Sequence, residues 1–257
     1  MRFGLSVGAA ALTLVTAGGS AAALVNCNDP TVYSSDQTVA DDFVKTEQES
    51  TACIIVHGAG TVINMAGHTI TCDSPTGLCG PAINCSSTCV VRNGNIVEGS
   101  GEWNVGVQCF QFFGGGYQDC EVSNMYIEAT GVGVAGGYKV DTSVIKGPDH
   151  CVSSSKTLTS GGYYRENYCS ATDAGFLVTG PASGAFTLER NFVRAGGGTG
   201  VEVQDGNLTL DRNIVEAATP IDDTSGDTIV LDRNICSNLA DCPEPTERGF
   251  SLTFDFD

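Results

Sequence analysis

Apolar and polar residues alternate in short runs through most of this chain. Gly106-Val107-Gln108-Cys109, Gly175-Phe176-Leu177-Val178 and Gly200-Val201-Glu202-Val203 each place apolar side chains at every second position. That period is expected of a β-strand with one buried face. Val, Ile and Thr dominate the runs, Gly is frequent, and no long stretch has the spacing of an amphipathic helix. The elements predicted are therefore many short strands and no substantial helix.

A second regularity lies above the first. Tyr164-Arg165-Glu166-Asn167-Tyr168-Cys169, Leu188-Glu189-Arg190-Asn191-Phe192-Val193, Leu210-Asp211-Arg212-Asn213-Ile214-Val215 and Leu231-Asp232-Arg233-Asn234-Ile235-Cys236 align without gaps. Their asparagines are 24, 22 and 21 residues apart. Val91-Arg92-Asn93-Gly94-Asn95-Ile96 and Val122-Ser123-Asn124-Met125-Tyr126-Ile127 read as two looser earlier copies. A period in the low twenties fits one coil of a solenoid and is too short for a propeller blade. Leucine-rich repeats share the period, but their repeated Leu pattern is absent. The fold class predicted is all-β, a right-handed parallel β-helix with terminal caps.

In such a stack an asparagine at the turn between two sheets bonds the backbone of its own turn and the Asn one coil away. With coils about 4.8 Å apart, Asn167, Asn191, Asn213 and Asn234 are expected to form a structural ladder. Arg190, Arg212 and Arg233 follow Glu189, Asp211 and Asp232, which predicts a compensated, solvated stripe. The organisation expected is a signal peptide over 1–23, an N-terminal cap over 24–52, the parallel β-helix over 53–236 and a C-terminal cap strand over 237–257. Val39, Phe43 and Val44 would form a short capping helix or strand. Phe250, Leu252, Phe254 and Phe256 alternate with polar residues in the last segment. That strand would close the last coil or pair with a partner.

Composition narrows the setting. Arg2, an apolar stretch from Phe3 to Val15 and then Ala21-Ala22-Ala23 have the layout of a secretory signal. The apolar stretch is short for a membrane span, and no later segment is long enough for one. All 12 cysteines follow the signal, an even number that predicts disulfides in a secreted, extracellular protein. Cys72 and Cys79, Cys85 and Cys89, Cys109 and Cys120, and Cys236 and Cys242 are close in sequence, although spacing alone leaves the connectivity open. Asn84-Cys85-Ser86 and Asn207-Leu208-Thr209 are N-glycosylation sequons. The formal net charge of −18 argues against nucleic acid and anionic membranes as partners. An anionic polysaccharide would require a local basic patch or a bridging cation such as Ca²⁺.

Thr61-Val62-Ile63-Asn64-Met65-Ala66-Gly67-His68-Thr69-Ile70-Thr71 resembles the opening coil of right-handed β-helix proteins of the pectate-lyase-like superfamily. Many of them carry a D-L-N-G-H-T-I segment there, followed by a V-x-N-G-x-I coil, which here is Val91-Arg92-Asn93-Gly94-Asn95-Ile96. With the later repeats the resemblance covers roughly residues 53 to 236. It implies the fold and a prior for polysaccharide chemistry, since pectate lyases, polygalacturonases, alginate lyases and mannuronan epimerases belong there. Phage tailspikes and non-catalytic surface proteins belong there too. The resemblance also implies that His68 is part of the coil rather than a catalyst.

Three constellations are candidates for chemistry. In the family's enzymes the substrate lies along the outer face of one parallel sheet, whose outward positions are expected to be Asn84, Gln108, Gly133, Leu177, Glu202 and Asp222. Glu202 and Asp222 on successive coils would bind Ca²⁺, or act as glycosidase acid and nucleophile, or simply be solvated acids. Lys146, Asp149 and His150, with Tyr163, Tyr164 and Arg165 one coil later, offer the base, acid and cation that a uronate lyase or epimerase needs. Mannuronan epimerases have an Asp-Pro-His motif in a related coil, whereas the order here is Pro148-Asp149-His150. Trp103 and Tyr117, close to Phe110, Phe112 and Phe113, are candidates for stacking on sugars or for packing beneath a Cys109–Cys120 bridge. Two functions therefore stand side by side. One is a β-helix that binds or processes an extracellular polysaccharide as a lyase, epimerase or glycoside hydrolase. The other is a non-catalytic structural or adhesive module capable of self-association.

Overall fold

A computed structural model describes residues 24–48, 50–109, 119–147, 149–154, 161–179, 185–226 and 229–237. Every regular element among them is a strand, with no helix. The strands pair only in parallel, each with its equivalent one turn earlier and one turn later. The result is a parallel β-solenoid of about eight turns. Each turn runs along three faces. Face one includes Leu78–Cys85, Glu102–Cys109, Val132–Ala135, His150–Ser153 and Ala174–Thr179. Face two includes Thr61–Asn64, Lys139–Asp141, Gly162–Arg165, Ala185–Glu189 and Asn207–Asp211. Face three includes Thr69–Cys72, Val144–Lys146 and Tyr168–Ala171. The longer strands Cys89–Glu98 and Cys120–Glu128 bend from face two into face three.

Alternation along each strand sends one column of side chains inward from each face. Face one contributes Ile83, Val107, Val134, Val152, Phe176 and Val201. Face two contributes Val91, Val122, Val140, Tyr164, Leu188 and Leu210. Face three contributes Ile96, Ile127, Ile145, Cys169, Val193 and Val215. All of these are buried, so the columns are the core.

The corner between faces two and three carries a file of buried amides. Asn167, Asn191, Asn213 and Asn234 are at most 1 % exposed. Asn191 Oδ1 accepts both the backbone N–H and the side-chain Nδ2 of Asn167, each at 3.0 Å. Its own Nδ2 donates to the Tyr164 carbonyl at 2.9 Å and to Asn213 Oδ1 at 3.0 Å. Asn213 repeats the arrangement with Leu188 and Asn234. Both amide hydrogens and both lone pairs of a central asparagine are thereby used. The residue before each amide, Glu166, Arg190, Arg212 or Arg233, has φ between 54° and 56°. In the two looser sequence copies the asparagine stands one residue earlier. Asn93 and Asn124 hold this left-handed position, at φ 60° and 50°, and Gly94 and Met125 take the place of the buried amide. Asn64, Asn93 and Asn124 form a separate ladder outside the core, with bonds of 3.0 and 2.9 Å.

The corner between faces three and one is built on glycine. A Cβ on Gly106, Gly133, Gly175 or Gly200 would lie 2.2–2.4 Å from a methyl of Ile127, Ile145, Val193 or Val215. Gly133 therefore belongs to this tight column, not to the outward column in which it was expected; Ala135 stands beside Gln108 instead. Cys151 occupies the same column and crosses to the face-three interior as a disulfide with Cys169.

The segment expected as an N-terminal cap is part of the stack. Leu24–Asn26, Thr31–Tyr33, Gln37–Thr38 and Asp42–Lys45 pair in register with the next turn, and Val39 and Phe43 are buried. The expected signal peptide and all of the C-terminal strand after Ser237 lie outside the described residues.

Two substitutions test the corners. Asn191→Ala strands a backbone N–H, a carbonyl and a neighbouring amide, and is expected to cost about 2–4 kcal/mol in chemical denaturation. Gly175→Ala is expected to cost about 1–3 kcal/mol through overpacking. Gly196→Ala, where a new methyl meets nothing within 4 Å, should stay within about 0.5 kcal/mol of the parent.

Candidate functional site

The residues expected to act together on a uronate lie on different faces. His150 begins a face-one strand with Nδ1 buried and unpartnered, and Asp149 is exposed just before it. Tyr164 points inward from face two, 1 % exposed, and its hydroxyl donates to the Gly137 carbonyl at 2.9 Å. Burial pushes this hydroxyl well above the usual tyrosine range, so it is a core group rather than an exposed acid. Arg165 points outward from face two into a bidentate pair with Asp141, at 3.2 and 2.8 Å. That pairing holds the guanidinium firmly charged and engages it away from His150.

Several other expectations are corrected by burial. Trp103 is wholly inside the core and its indole N–H donates to the Val97 carbonyl at 2.8 Å, so its ring offers no surface to a sugar. Asn84 is wholly buried, with neither amide atom partnered, which leaves no room for a glycan. Asn207 starts a face-two strand and is half-buried. Tyr117 lies outside the described residues, as do Phe110, Phe112 and Phe113. His68 Nδ1 contacts Asp42 Oδ1 at 3.1 Å, and the same oxygen accepts the Thr69 N–H at 2.9 Å, which ties neighbouring turns together.

Glu202 and Asp222 are register partners on adjoining turns of face one, and Gln204 Nε2 donates to Glu202 Oε1 at 2.7 Å. Calcium takes about six to eight oxygen ligands. Among the described residues, these two acids belong to no group of three or more acidic, His or Cys ligands.

The structure instead assembles a polar cluster on face three, around one residue of the expected set. Lys146 Nζ donates to Tyr126 Oη at 2.6 Å and lies 3.4 Å from Glu128 Oε1. Tyr126 Oη in turn donates to Glu128 Oε1 in a short hydrogen bond. Lys146 also sits over the Tyr126 ring, 4.8 Å from its centre. Partial burial, and then the Glu128 carboxylate, push the Tyr126 hydroxyl above its usual range, with Lys146 acting the other way. The bond to Tyr126 holds Lys146 protonated. The trio is therefore a neutral phenol between an ammonium and a carboxylate. Glu98 lies one turn away, with Oε1 accepting from Thr130 Oγ1 at 2.8 Å. With Ser170 and Thr172, these acids and Lys146 line a shallow groove of about 400 Å³.

Beside this polar column runs an apolar one. Tyr126, Val144, Tyr168, Phe192, Ile214 and Ile235 are successive register partners on the outer surface of face three. Ile235 is exposed and the other five are half-buried, and the rings of Tyr168 and Phe192 stack at 5.4 Å and 3°. Tyr126 and Glu128 were not singled out in sequence, although the copy that begins at Val122 puts Tyr126 level with Tyr168 and Phe192. Aligning Tyr126-Ile127-Glu128 with Val144-Ile145-Lys146 on their inward isoleucines would have found them.

The chain matches no family model, and comparison with curated proteins and with solved structures gives no significant match.

The burial of Tyr164 has a pH signature. Its raised folded value means that stability is present in full below the free-tyrosine value of about 10 and is lost as pH rises through the folded value. Tyr164→Phe should lose about 1 kcal/mol near pH 8 through the missing bond to Gly137. The gap should close or reverse near pH 11 in urea titrations; a gap independent of pH would place the hydroxyl in water.

Proposed function

We propose that this protein is a secreted β-solenoid that binds an extended extracellular polysaccharide along the outer surface of face three. The observation that carries this reading is the pairing of two columns along the solenoid axis. One is aromatic and aliphatic, from Tyr126 through Tyr168 and Phe192. The other is polar, with Glu128, Lys146, Ser170, Arg194 and Glu216 in register. Sugar rings offer C–H faces to aromatic rings and hydroxyls to polar side chains, so a glycan parallel to the axis meets both at each step of about 4.8 Å. Lys146 and Arg194 are balanced by Glu98, Glu128 and Glu216. Together with the net charge of −18, that balance favours a neutral polysaccharide over a polyuronate. Five disulfides between described cysteines support an oxidising, extracellular setting. The reading is one of binding: the acid, base and cation of the lyase-like set do not converge.

A second reading, self-association as a structural or adhesive module, is favoured by exposed apolar residues in the first and last described turns. Leu24 and Val32 in one, and Val230 and Ile235 in the other, are 37–67 % exposed. This reading places association at the ends of the stack.

Affinity electrophoresis or calorimetry against neutral glucans, galactans and polyuronates tests the proposal. A neutral polysaccharide is expected to bind, and Tyr168→Ala is expected to weaken it about tenfold, the equivalent of one stacking contact of about 1.4 kcal/mol. Failure of every polysaccharide to bind, together with sedimentation showing concentration-dependent polymers, would replace this reading with the second.

A further inference from the structure

Four cysteines meet at one corner of the solenoid, between faces one and two. Cys85 ends Leu78–Cys85 and Cys89 begins Cys89–Glu98; one turn later Cys109 ends Glu102–Cys109 and Cys120 begins Cys120–Glu128. Cys109 is the register partner of Cys85, and Cys120 that of Cys89. The disulfides Cys85–Cys89 and Cys109–Cys120, each with Cα atoms 6.0 Å apart, are therefore stacked one above the other. All four residues are at most 3 % exposed. The sulfurs of Cys85, Cys89 and Cys120 lie within 4.8 Å of one another, and the Cys109 sulfur is bonded to that of Cys120. Among the described residues no other group of three or more His, Cys, Asp or Glu side chains is so gathered.

We propose that these four cysteines are a latent tetrathiolate site for a soft divalent metal ion such as Zn²⁺, closed while they are two disulfides and opened by reduction. The chemistry balances with a dithiol as reductant. Two dithiols each deliver two electrons and two protons to one protein disulfide and become disulfides themselves, leaving four protein thiols. The metal ion then binds the four sulfurs and displaces their protons to solvent.

The backbone explains why the ligands stay together after reduction. Each cysteine begins or ends a strand paired with the turns on either side, so the four Cα positions are held by main-chain hydrogen bonds as well as by the S–S bonds. Zinc–sulfur bonds of about 2.3 Å require sulfurs about 3.8 Å apart in a tetrahedron, and three of the four sulfurs lie within 4.8 Å of one another. The Cys85–Cys89 pair has three intervening residues, within the usual spacing of close zinc-ligand pairs. Four thiolates in a buried, desolvated corner repel one another unless a divalent cation is present, and sulfur selects zinc-like ions over calcium or magnesium.

The test uses the full chain without its signal segment, reduced anaerobically with a dithiol and titrated with Co²⁺. One equivalent is expected to bind with the sulfur-to-cobalt charge-transfer and visible bands of tetrahedral thiolate coordination, and Zn²⁺ should bleach them. The oxidised protein should show neither. Metal at about a hundredfold its Kd should raise the unfolding midpoint of the reduced protein by about 5–10 °C. Replacing Cys85 and Cys109 with Ser should abolish the tetrathiolate spectrum, whereas replacing Cys151 and Cys169 with Ser should leave it. Equal binding by both variants, or binding that leaves the unfolding midpoint unchanged, would assign the metal to an unfolded chain and overturn the proposal.

Discussion

The structure depends on satisfying backbone polar groups at a buried corner. A parallel solenoid must turn three times per coil, and each turn takes amides and carbonyls out of the sheet ladder. At the corner between faces two and three the later turns meet this with a file of asparagines whose amides bond both the main chain and one another. The preceding residue must then adopt the left-handed conformation, which costs a side-chain-bearing residue about 1–2 kcal/mol. Glu166, Arg190, Arg212 and Arg233 all do so. The buried amide network offsets that cost, because without it each turn would leave orphaned polar groups in the core.

The early turns meet the same demand differently. Through Glu128 the position of the buried amide is filled by Gly94 and Met125, and the asparagine ladder moves outside to Asn64, Asn93 and Asn124. Four of the five disulfides between described cysteines, Cys27–Cys53, Cys72–Cys79, Cys85–Cys89 and Cys109–Cys120, lie in this part of the stack. The fifth, Cys151–Cys169, sits where the asparagine file begins. Most disulfides between described cysteines therefore lie in the turns without the internal ladder, and all but Cys27–Cys53 join residues of a single coil, whereas the asparagine file joins one coil to the next.

The coil period and the strand alternation were legible because both are repeated, and repetition averages out local exceptions. The direction of individual side chains was less legible. Asn93 and Asn124 stand one place earlier in their copies than Asn167 does in its own. A left-handed corner residue and a buried ladder residue sit side by side, and asparagine suits both for different physical reasons. Gly133 was displaced for a related reason: glycine at the corner is demanded by the methyls of Ile145 across the interior, a constraint set by a strand more than ten residues later. Tyr164 and Arg165 are neighbours in sequence, yet one is in the core and the other in an ion pair on the surface. Trp103 looked like a surface ring because it precedes an aromatic-rich insertion, but its indole N–H finds a buried carbonyl.

Register also decides where a long ligand could be read. On face one the outward column runs from Asn84 through Gln108, Ala135, Ser153 and Leu177 to Glu202 and Asp222, changing from buried amide to small residue to carboxylate. A repeating polymer laid there would meet a different chemistry at each step. On face two the column from Asp141 to Asp232 is occupied by its own salt bridges, with Arg165 on Asp141, Arg190 on Glu166 and Glu189, and Arg212 and Arg233 on Asp211. An outside ligand would have to break those pairs. On face three one kind of surface recurs, with ring or branched aliphatic beside polar group, from Tyr126 to Ile214. A polymer whose own repeat alternates an apolar ring face with hydroxyl edges is matched by such a surface over several turns, whereas a compact ligand would use one turn and leave the rest unexplained.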